Sequence, residues 1–366
     1  MIKAVIIGFA HMHVNEVALY ISRHPEYSLE AAADMPSDLE KIEPLRYTPE
    51  WNKENIRTNF CPRIYEDYCQ MLDEVKPDVA FILTENFQKK KAAEACAVRG
   101  INIILEKPMA INLKEARDIE ALAEKYGIEA YVNWPVMWRA YLHKMKNALD
   151  VRLVGEPLKL QYINGHTGPL GKGARHRGVS ANAEEMTDEQ RKKTWWYQKK
   201  YGGGVFLDIG CYGCFFAKWL LGGGEKGAMA IGEQMNTPFC DTADNFAAVV
   251  RYDKKMAVLE GTWTTPRAAI PSGPMVMCTD GIIACTGGAE NRPGVEAFDL
   301  YGNPVEVPEI SFGPEMTDMP HLYAWHKQTK GEMPPMATLS KNVEIMAMLE
   351  AIISSAESKK EERIRV

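Results

Sequence analysis

Glu106, Lys107 and Pro108 set a carboxylate and an ammonium directly ahead of a proline, and few other triplets in the chain hold so much chemistry. They follow Ile101–Leu105, an apolar run rich in β-branched residues that reads as a strand buried on both faces of a parallel sheet. Open α/β sheets bind ligands at the carboxyl ends of such strands. Proline restricts Lys107 to an extended backbone and makes the Lys107–Pro108 bond a candidate for the cis form, either of which aims the lysine. A surface lysine ahead of a helix is the competing reading of the triplet.

A second concentration runs from Thr194 to Gly213. Asp208 and Tyr212, spaced i and i+4, fall on one face if the chain is helical from Val205 onward. An aspartate and a phenol on an otherwise apolar helix need partners, because burying them unpaired is costly. Either they meet a ligand or they hydrogen-bond at a domain interface. Trp195 and Trp196 offer flat faces to a sugar ring, although tryptophans are more often simply packed. Gly202, Gly203 and Gly204 mark a flexible tip or a place where another molecule approaches the backbone closely.

The elements that must position these groups are legible in the hydrophobic pattern. Lys3–Ile7 is a central parallel strand ending at Gly8, a helix follows over Val14–Arg23, and a second strand, Leu29–Ala33, ends at Asp34. This βαβ unit carries a reduced dinucleotide fingerprint, in which only Gly8 of the three glycines is kept. Ala10 is small enough for a pyrophosphate to approach, and the amides around His11 and Met12 can receive it at the helix start. His13 crowds the third glycine position. Asp34 stands where a carboxylate accepts the ribose 2′-hydroxyl and repels a 2′-phosphate, which favours NAD over NADP; otherwise it opens a polar loop. Asp38–Asn59 is a polar surface excursion, and Tyr65–Tyr68 opens a helix. Further strands are Pro77–Leu83, leading into Thr84, Glu85 and Asn86, then the strand before Glu106, and Glu129–Asn133. Strands alternating with helices predict a Rossmann-type doubly wound parallel sheet over residues 1–135.

Beyond it, residues 136–366 read as an α+β domain with a large, mainly antiparallel open sheet. Its strand pairs turn around Asp253-Lys254, Asp280-Gly281 and Gly302-Asn303, and an amphipathic helix over Leu339–Ser358 closes the chain. The loop from His166 to Glu185 holds Arg175, His176 and Arg177, which favour an anionic substrate group if it folds over the site. A net charge of -6 without a basic run argues against nucleic acid or anionic membrane as partner. No apolar segment reads as a membrane span and the N-terminus lacks a signal-peptide layout, so a cytoplasmic protein is expected. The 8 cysteines show neither disulfide nor zinc spacing, and no metal is expected. Cys211 and Cys214 read as small residues on a packed helix.

Gly8, Tyr65-Glu66-Asp67, Thr84-Glu85-Asn86, Glu106-Lys107-Pro108, Gly202-Gly203-Gly204 with Asp208 and Tyr212, and the closing Asn342–Met346 helix together resemble the glucose-fructose oxidoreductase and inositol dehydrogenase (Gfo/Idh/MocA) family. The resemblance runs almost end to end. It implies a bound nicotinamide dinucleotide held by the Gly8–Met12 loop, Asp34, Thr84–Asn86, Glu106, Lys107 and Asn133. It implies a pyranose, polyol or related substrate contacting Lys107, Asp208 and Tyr212, with His166, Trp195 and Trp196 as further candidates, and a homodimer or homotetramer built through the second sheet. Tyr212 sits where most members carry a catalytic histidine. The proline usual after Thr84 is Glu85, and the histidine usual three residues after Asn86 is Lys89.

Removing a hydride from a sugar carbon requires its hydroxyl to lose a proton to a base. A free phenol, with a pKa of about 10, is a poor base at neutral pH. Lys107 beside Tyr212 is expected to lower that value, with Asp208 orienting the pair. The leading expectation is an NAD-dependent sugar or polyol dehydrogenase. The rivals are a glycoside hydrolase or lyase that uses tightly bound NAD for transient oxidation, and a non-catalytic nucleotide-dependent sensor.

Overall fold

In the computed structural model the described residues are 1–171, 174, 176–181, 184–266, 273–286, 294–310 and 338–366. The first sheet has six strands: β1 (Ile2–Ile7), β2 (Tyr27–Ala33), β3 (Ile64–Tyr65), β4 (Val79–Ile82), β5 (Asn102–Glu106) and β6 (Ala130–Asn133). They are ordered β3-β2-β1-β4-β5-β6, and every pair is parallel. The order reverses at β1, so the crevice at the carboxyl ends of β1 and β4 is the expected ligand position. Fully buried Ala4–Ile7 and Val79–Ile82 explain the unbroken apolar runs.

Crossovers are made by α1 (Val14–Arg23), α3 (Tyr68–Val75), α4 (Lys89–Ala97) and α5 (Leu113–Tyr126). Asp67 caps α3 by accepting from the amides of Cys69 and Gln70, so Tyr65 ends a strand and the helix opens at Tyr68. The expected polar excursion is more than surface, because it folds into α2 (Pro49–Asn59) against the start of α1. Asn52 donates to the carbonyls of Phe9 and Tyr47, and Asn15 donates to Asn52, so a buried amide network braces the fingerprint loop that has lost its glycines.

After α6 (Ala140–Asp150) the second sheet begins with β7 (Pro157–Gly165) and is completed by β8 (Gly227–Glu233), β9 (Asn245–Arg251), β10 (Met256–Thr262), β11 (Met275–Cys278), β12 (Gly281–Thr286), β13 (Gly294–Asp299), β14 (Pro304–Val305) and β15 (Glu362–Arg363). Its order is β14-β13-β12-β11-β7-β10-β9-β8-β15. Among the described strands of this second sheet, only β7 and β10 pair in parallel. The three expected hairpins are present at β9–β10, β11–β12 and β13–β14. Between β7 and β8 lie the short α7 (Asp188–Lys193) and α8 (Cys211–Phe216), the latter flanked by π turns at Phe206–Gly210 and Ala217–Leu221.

The closing helix α9 (Leu339–Ser358) packs on β8 and on α5, tying the two sheets together. Leu113 donates its amide to Glu350 at 2.9 Å, and the Trp134 indole donates to Asn342 at 2.8 Å. Lys199–Leu221 is, by length and composition, long and apolar enough to cross a membrane, contrary to the sequence expectation, yet 78% of its most apolar window is buried inside the protein. Burial against α9 and the second sheet accounts for its apolar character.

Candidate active site

β5 delivers Glu106 and Lys107 to the sheet's carboxyl edge, and the Lys107–Pro108 bond is cis. The π turn delivers Asp208. Cys211 donates its amide five residues back to Phe206, which widens the helix there. Lys107 Nζ donates to the Asp208 carbonyl at 3.0 Å and to Asp208 Oδ1 at 2.9 Å. The other carboxylate oxygen, Oδ2, receives the Trp263 indole at 3.0 Å and faces His166 Nε2 at 3.2 Å. Burial opposes the Asp208 charge, but the Lys107 ammonium, followed by His166, holds its carboxyl far below the usual range. Burial likewise opposes the Lys107 ammonium, and Asp208 outweighs it, so its pKa lies well above the usual lysine value.

Tyr212 joins this group differently from the expectation. Lys107 Nζ lies over its ring, 4.6 Å from the centroid, rather than at its hydroxyl, and Trp134 meets it edge-on. Burial pushes the phenol pKa up and Lys107 offsets only part of the rise. The expected lysine-activated phenolate is therefore not what this geometry builds. His166 has one nitrogen on Asp208, while its buried Nδ1 lacks a hydrogen-bond partner among the described residues.

Behind the site, Lys89 is fully buried and donates to Asn86 Oδ1 at 2.8 Å and to the carbonyls of Glu106 and Pro108, each at 2.6 Å. Burial draws its pKa down to about 7. Asn86 in turn donates to the Gly202 carbonyl at 2.7 Å, so both ends of its amide are engaged within the protein. The triple glycine is neither a free tip nor an opening for another molecule. A Cβ on Gly202, where φ is +82°, would stand 2.6 Å from Asn86 Cβ, and one on Gly203 would stand 2.2 Å from the Trp196 carbonyl.

The residues expected to hold a cofactor gather at the carboxyl ends of β1, β2, β4, β5 and β6. Gly8, at φ +93°, lies against Thr84, where a Cβ would approach within 2.6 Å. In the fingerprint loop, the amides of Gly8, Phe9, His11 and His13 bind Ala33, Asp34, Leu83 and His11 respectively. Those of Ala10 and Met12 bind nothing among the described residues. Asp34 also takes the Met35 amide, and burial followed by Glu85 raises its pKa to about 6. Glu85 is buried and accepts from Gln88 at 2.9 Å. Two unclaimed amides at a helix start and a carboxylate at the end of β2 fit a dinucleotide's diphosphate and ribose. Trp195 and Trp196 stack on each other at 3.8 Å over this loop, Trp195 donating to the Ala10 carbonyl at 3.1 Å, so both are packed rather than open to a sugar.

Matches to known proteins agree with this architecture. Residues 2–134 match the model described as "Oxidoreductase family, NAD-binding Rossmann fold", and residues 144–284 match the GFO/IDH/MocA C-terminal domain. The chain belongs to the Gfo/Idh/MocA oxidoreductase family. A trans-1,2-dihydrobenzene-1,2-diol dehydrogenase of Xenopus tropicalis is 22% identical over 273 residues, 74% of this chain and 71% of that protein. The scyllo-inositol 2-dehydrogenase (NAD(+)) of Bacillus subtilis is 22% identical over 205 residues, 55% of this chain and 53% of its own. Among solved structures, the WlbA dehydrogenase of Bordetella pertussis in complex with NADH and UDP-GlcNAcA superposes with a TM-score of 0.78 at 15% identity, over 100% of this chain and 98% of that one. This Gfo/Idh/MocA member thus shares its relatives' two-sheet fold.

Several contacts around the site escaped the sequence reading. Trp263 holds Asp208 from β10's end, and Glu106 receives Asn133 at 2.9 Å and faces His13 Nδ1 at 3.1 Å. The His-x-His spacing of His11 and His13 was the available signal for the latter. The loop after β7 does fold onto the first sheet's side: the His176 amide donates to Tyr47 and Arg177 donates to Tyr20. Arg177 also faces Glu16 at 4.0 Å, which accounts for its charge within the protein. Arg175 lies outside the described residues.

Proposed function

We propose that the protein is an NAD-dependent dehydrogenase that moves a hydride between nicotinamide and a hydroxyl-bearing carbon of a sugar, sugar acid or polyol. The observation that carries this reading is the chain Lys107–Asp208–His166, in which one buried carboxylate holds both a buried ammonium and a half-buried imidazole at 2.9 and 3.2 Å. When bound, the dinucleotide supplies the hydride acceptor. Ala10, Met12 and Asp34 are the residues that would hold it, and the Asp34 carboxylate favours the 2′-hydroxyl of NAD over the 2′-phosphate of NADP.

In this reading the Lys107 ammonium donates to the substrate oxygen and favours its alkoxide character. Asp208 fixes the His166 tautomer by taking the proton side of Nε2, which leaves Nδ1 as the lone pair that removes the hydroxyl proton. Tyr212, kept protonated by burial, is a hydrogen-bond donor rather than the base. Leu158, Met229, Ile231, Val249 and Met256 are exposed on the second sheet and supply an apolar face for a second copy, as a homodimer or homotetramer requires. Eight free cysteines suit a reducing cytoplasmic compartment.

The test is to mix the protein with excess NAD and a panel of pyranoses, polyols, sugar acids and aryl glycosides, following NADH and chromatographic product together. Growth of NADH in step with oxidised sugar is the expected result. Product without net NADH would replace the dehydrogenase with a redox-assisted hydrolase or lyase, and failure to bind nucleotide would overturn both.

A further inference from the structure

The third glycine of the dinucleotide fingerprint is replaced by His13, which caps α1 without a side-chain bond to the helix. In a glycine fingerprint that position lets helix and strand pack closely and leaves the diphosphate to the helix start. Here the Ala10 and Met12 amides are unclaimed among the described residues, and the imidazoles of His11 and His13 stand beside them with their rings 4.4 Å apart. We propose that His11 and His13 each donate a hydrogen bond from Nε2 to the diphosphate of the dinucleotide, in place of the close approach that the lost glycines would allow. This rests on the reading that the crevice takes a nicotinamide dinucleotide.

His11 gives the independent observation. Its Nδ1 accepts the His13 amide at 3.2 Å, so the neutral ring carries its proton on Nε2. Burial, followed by the charges of His13, Lys107 and Lys89, holds its pKa well below the usual histidine value and keeps the ring neutral. His11 is 2% exposed, and that Nε2–H has no hydrogen-bond partner among the described residues. Trp196 and Trp195 meet the ring at 4.9 and 6.2 Å between centroids but offer it no lone pair. A buried donor in this state calls for an acceptor.

His13 is directed by Glu106. The carboxylate faces Nδ1 at 3.1 Å while its other oxygen takes the Asn133 amide at 2.9 Å, so the proton-bearing nitrogen is fixed and Nε2 points away. Burial opposes a charge on His13, Glu106 outweighs it, and the pKa is raised. Nε2 makes no hydrogen bond among the described residues, and the side chain is 16% exposed where that of Glu106 is sealed. A cation at a helix start opposes the helix dipole, a conflict that a bound anion removes. Lys107 and Lys89 add positive charge to the same cluster, which favours an anion there.

Binding of ADP-ribose by calorimetry and of adenosine by saturation-transfer NMR, both to the full-length protein, reads the contact without any turnover. His13→Gln and His13→Gly should each bind ADP-ribose about 10–100-fold more weakly than wild type, the loss of one charge-assisted hydrogen bond, and leave adenosine binding unchanged. His13→Gly is the sharper variant, because it restores the fingerprint glycine: a histidine that only fills space would give way to equal or tighter binding. A crystal structure of wild-type protein with ADP-ribose needs no variant, and should place diphosphate oxygens about 2.7–3.2 Å from both Nε2 atoms. ADP-ribose affinity kept in both His13 variants, an equal loss for adenosine, or a diphosphate distant from both Nε2 atoms would each overturn the inference while the dinucleotide reading stands. No binding of ADP-ribose or NAD to wild-type protein would overturn that reading and this inference with it.

Discussion

Lys107 grips Asp208 twice, donating from Nζ to the carboxylate at 2.9 Å and to the backbone carbonyl of the same residue at 3.0 Å. The two side chains are 4% and 10% exposed, so the pair is desolvated, and losing one member strands a buried charge. Asp208→Ala should therefore destabilise the fold by about 3–5 kcal/mol. The sign of the pH dependence follows from the depressed Asp208 pKa. Its contribution is present above the unfolded carboxylate value of about 3.9 and is lost as pH falls toward the native value. Urea unfolding should show a constant gap between wild type and variant from pH 5 to 8 that shrinks in stronger acid. Equal midpoints at pH 7 would mean that the pair contributes nothing net.

His166 and Tyr212 divide the proton chemistry in opposite ways under the two assignments. With Tyr212 held protonated by burial and His166 oriented by Asp208, His166→Gln should lower kcat by about 10²–10⁴-fold, the usual contribution of a general base. Tyr212→Phe should stay within about tenfold of wild type, as loss of a single hydrogen bond does. Steady-state kinetics on any substrate found in the NAD panel decides between them. The reverse order of effects would restore the phenolate.

With Asp34 as the proposed ribose ligand, nucleotide affinity is linked to pH. Accepting ribose hydroxyls requires the carboxylate, and its pKa is raised to about 6, so NAD binding should tighten as pH rises through that value. From pH 7.5 down to pH 5 affinity should fall by about tenfold, since about one tenth of such a group is ionised one unit below its pKa. Stability runs the other way: the raised value contributes most below the unfolded pKa and is lost as pH rises through about 6. Asp34→Asn should flatten both curves, measured by calorimetric titration and by thermal unfolding. A pH-dependent NAD affinity that survives the substitution would assign the titration elsewhere.

What could be read from the chain was mostly local. The hairpins around Asp253-Lys254, Asp280-Gly281 and Gly302-Asn303 announce themselves through adjacent turn chemistry, and the buried strands through unbroken apolar runs. Two-residue strands such as β3 and β15 carry too few residues for any period to show. The parallel β7–β10 pair is set by packing between segments about a hundred residues apart, which no neighbouring residues encode. The same holds at the site. Glu106, Lys107, Asp208 and Tyr212 stood out by type and spacing, but His13 meets Glu106 across 93 residues and Trp263 meets Asp208 across 55. The triple glycine was visible, while its cause, the Trp195 and Trp196 carbonyls and Asn86 pressed against it, belongs to tertiary packing.

Lys89 is the support on which the Lys107 turn rests. Its three hydrogen bonds end on Asn86 Oδ1 and on the carbonyls of Glu106 and Pro108, which bracket Lys107 on either side. Below its pKa of about 7 the ammonium has three donors, so each acceptor is matched, and none of the three groups has water access to replace the lysine at low cost. Lys89→Met preserves length and apolar stem but leaves those oxygens unpaired, each at about 1–3 kcal/mol. The variant should therefore lose at least about 2 kcal/mol in urea unfolding. Asn86 also donates to Gly202, so the loss should loosen the seam that brings Asp208 to Lys107 and lower kcat more than it raises KM. A variant as stable as wild type would show that these carbonyls find other donors and that Lys89 does not hold the turn.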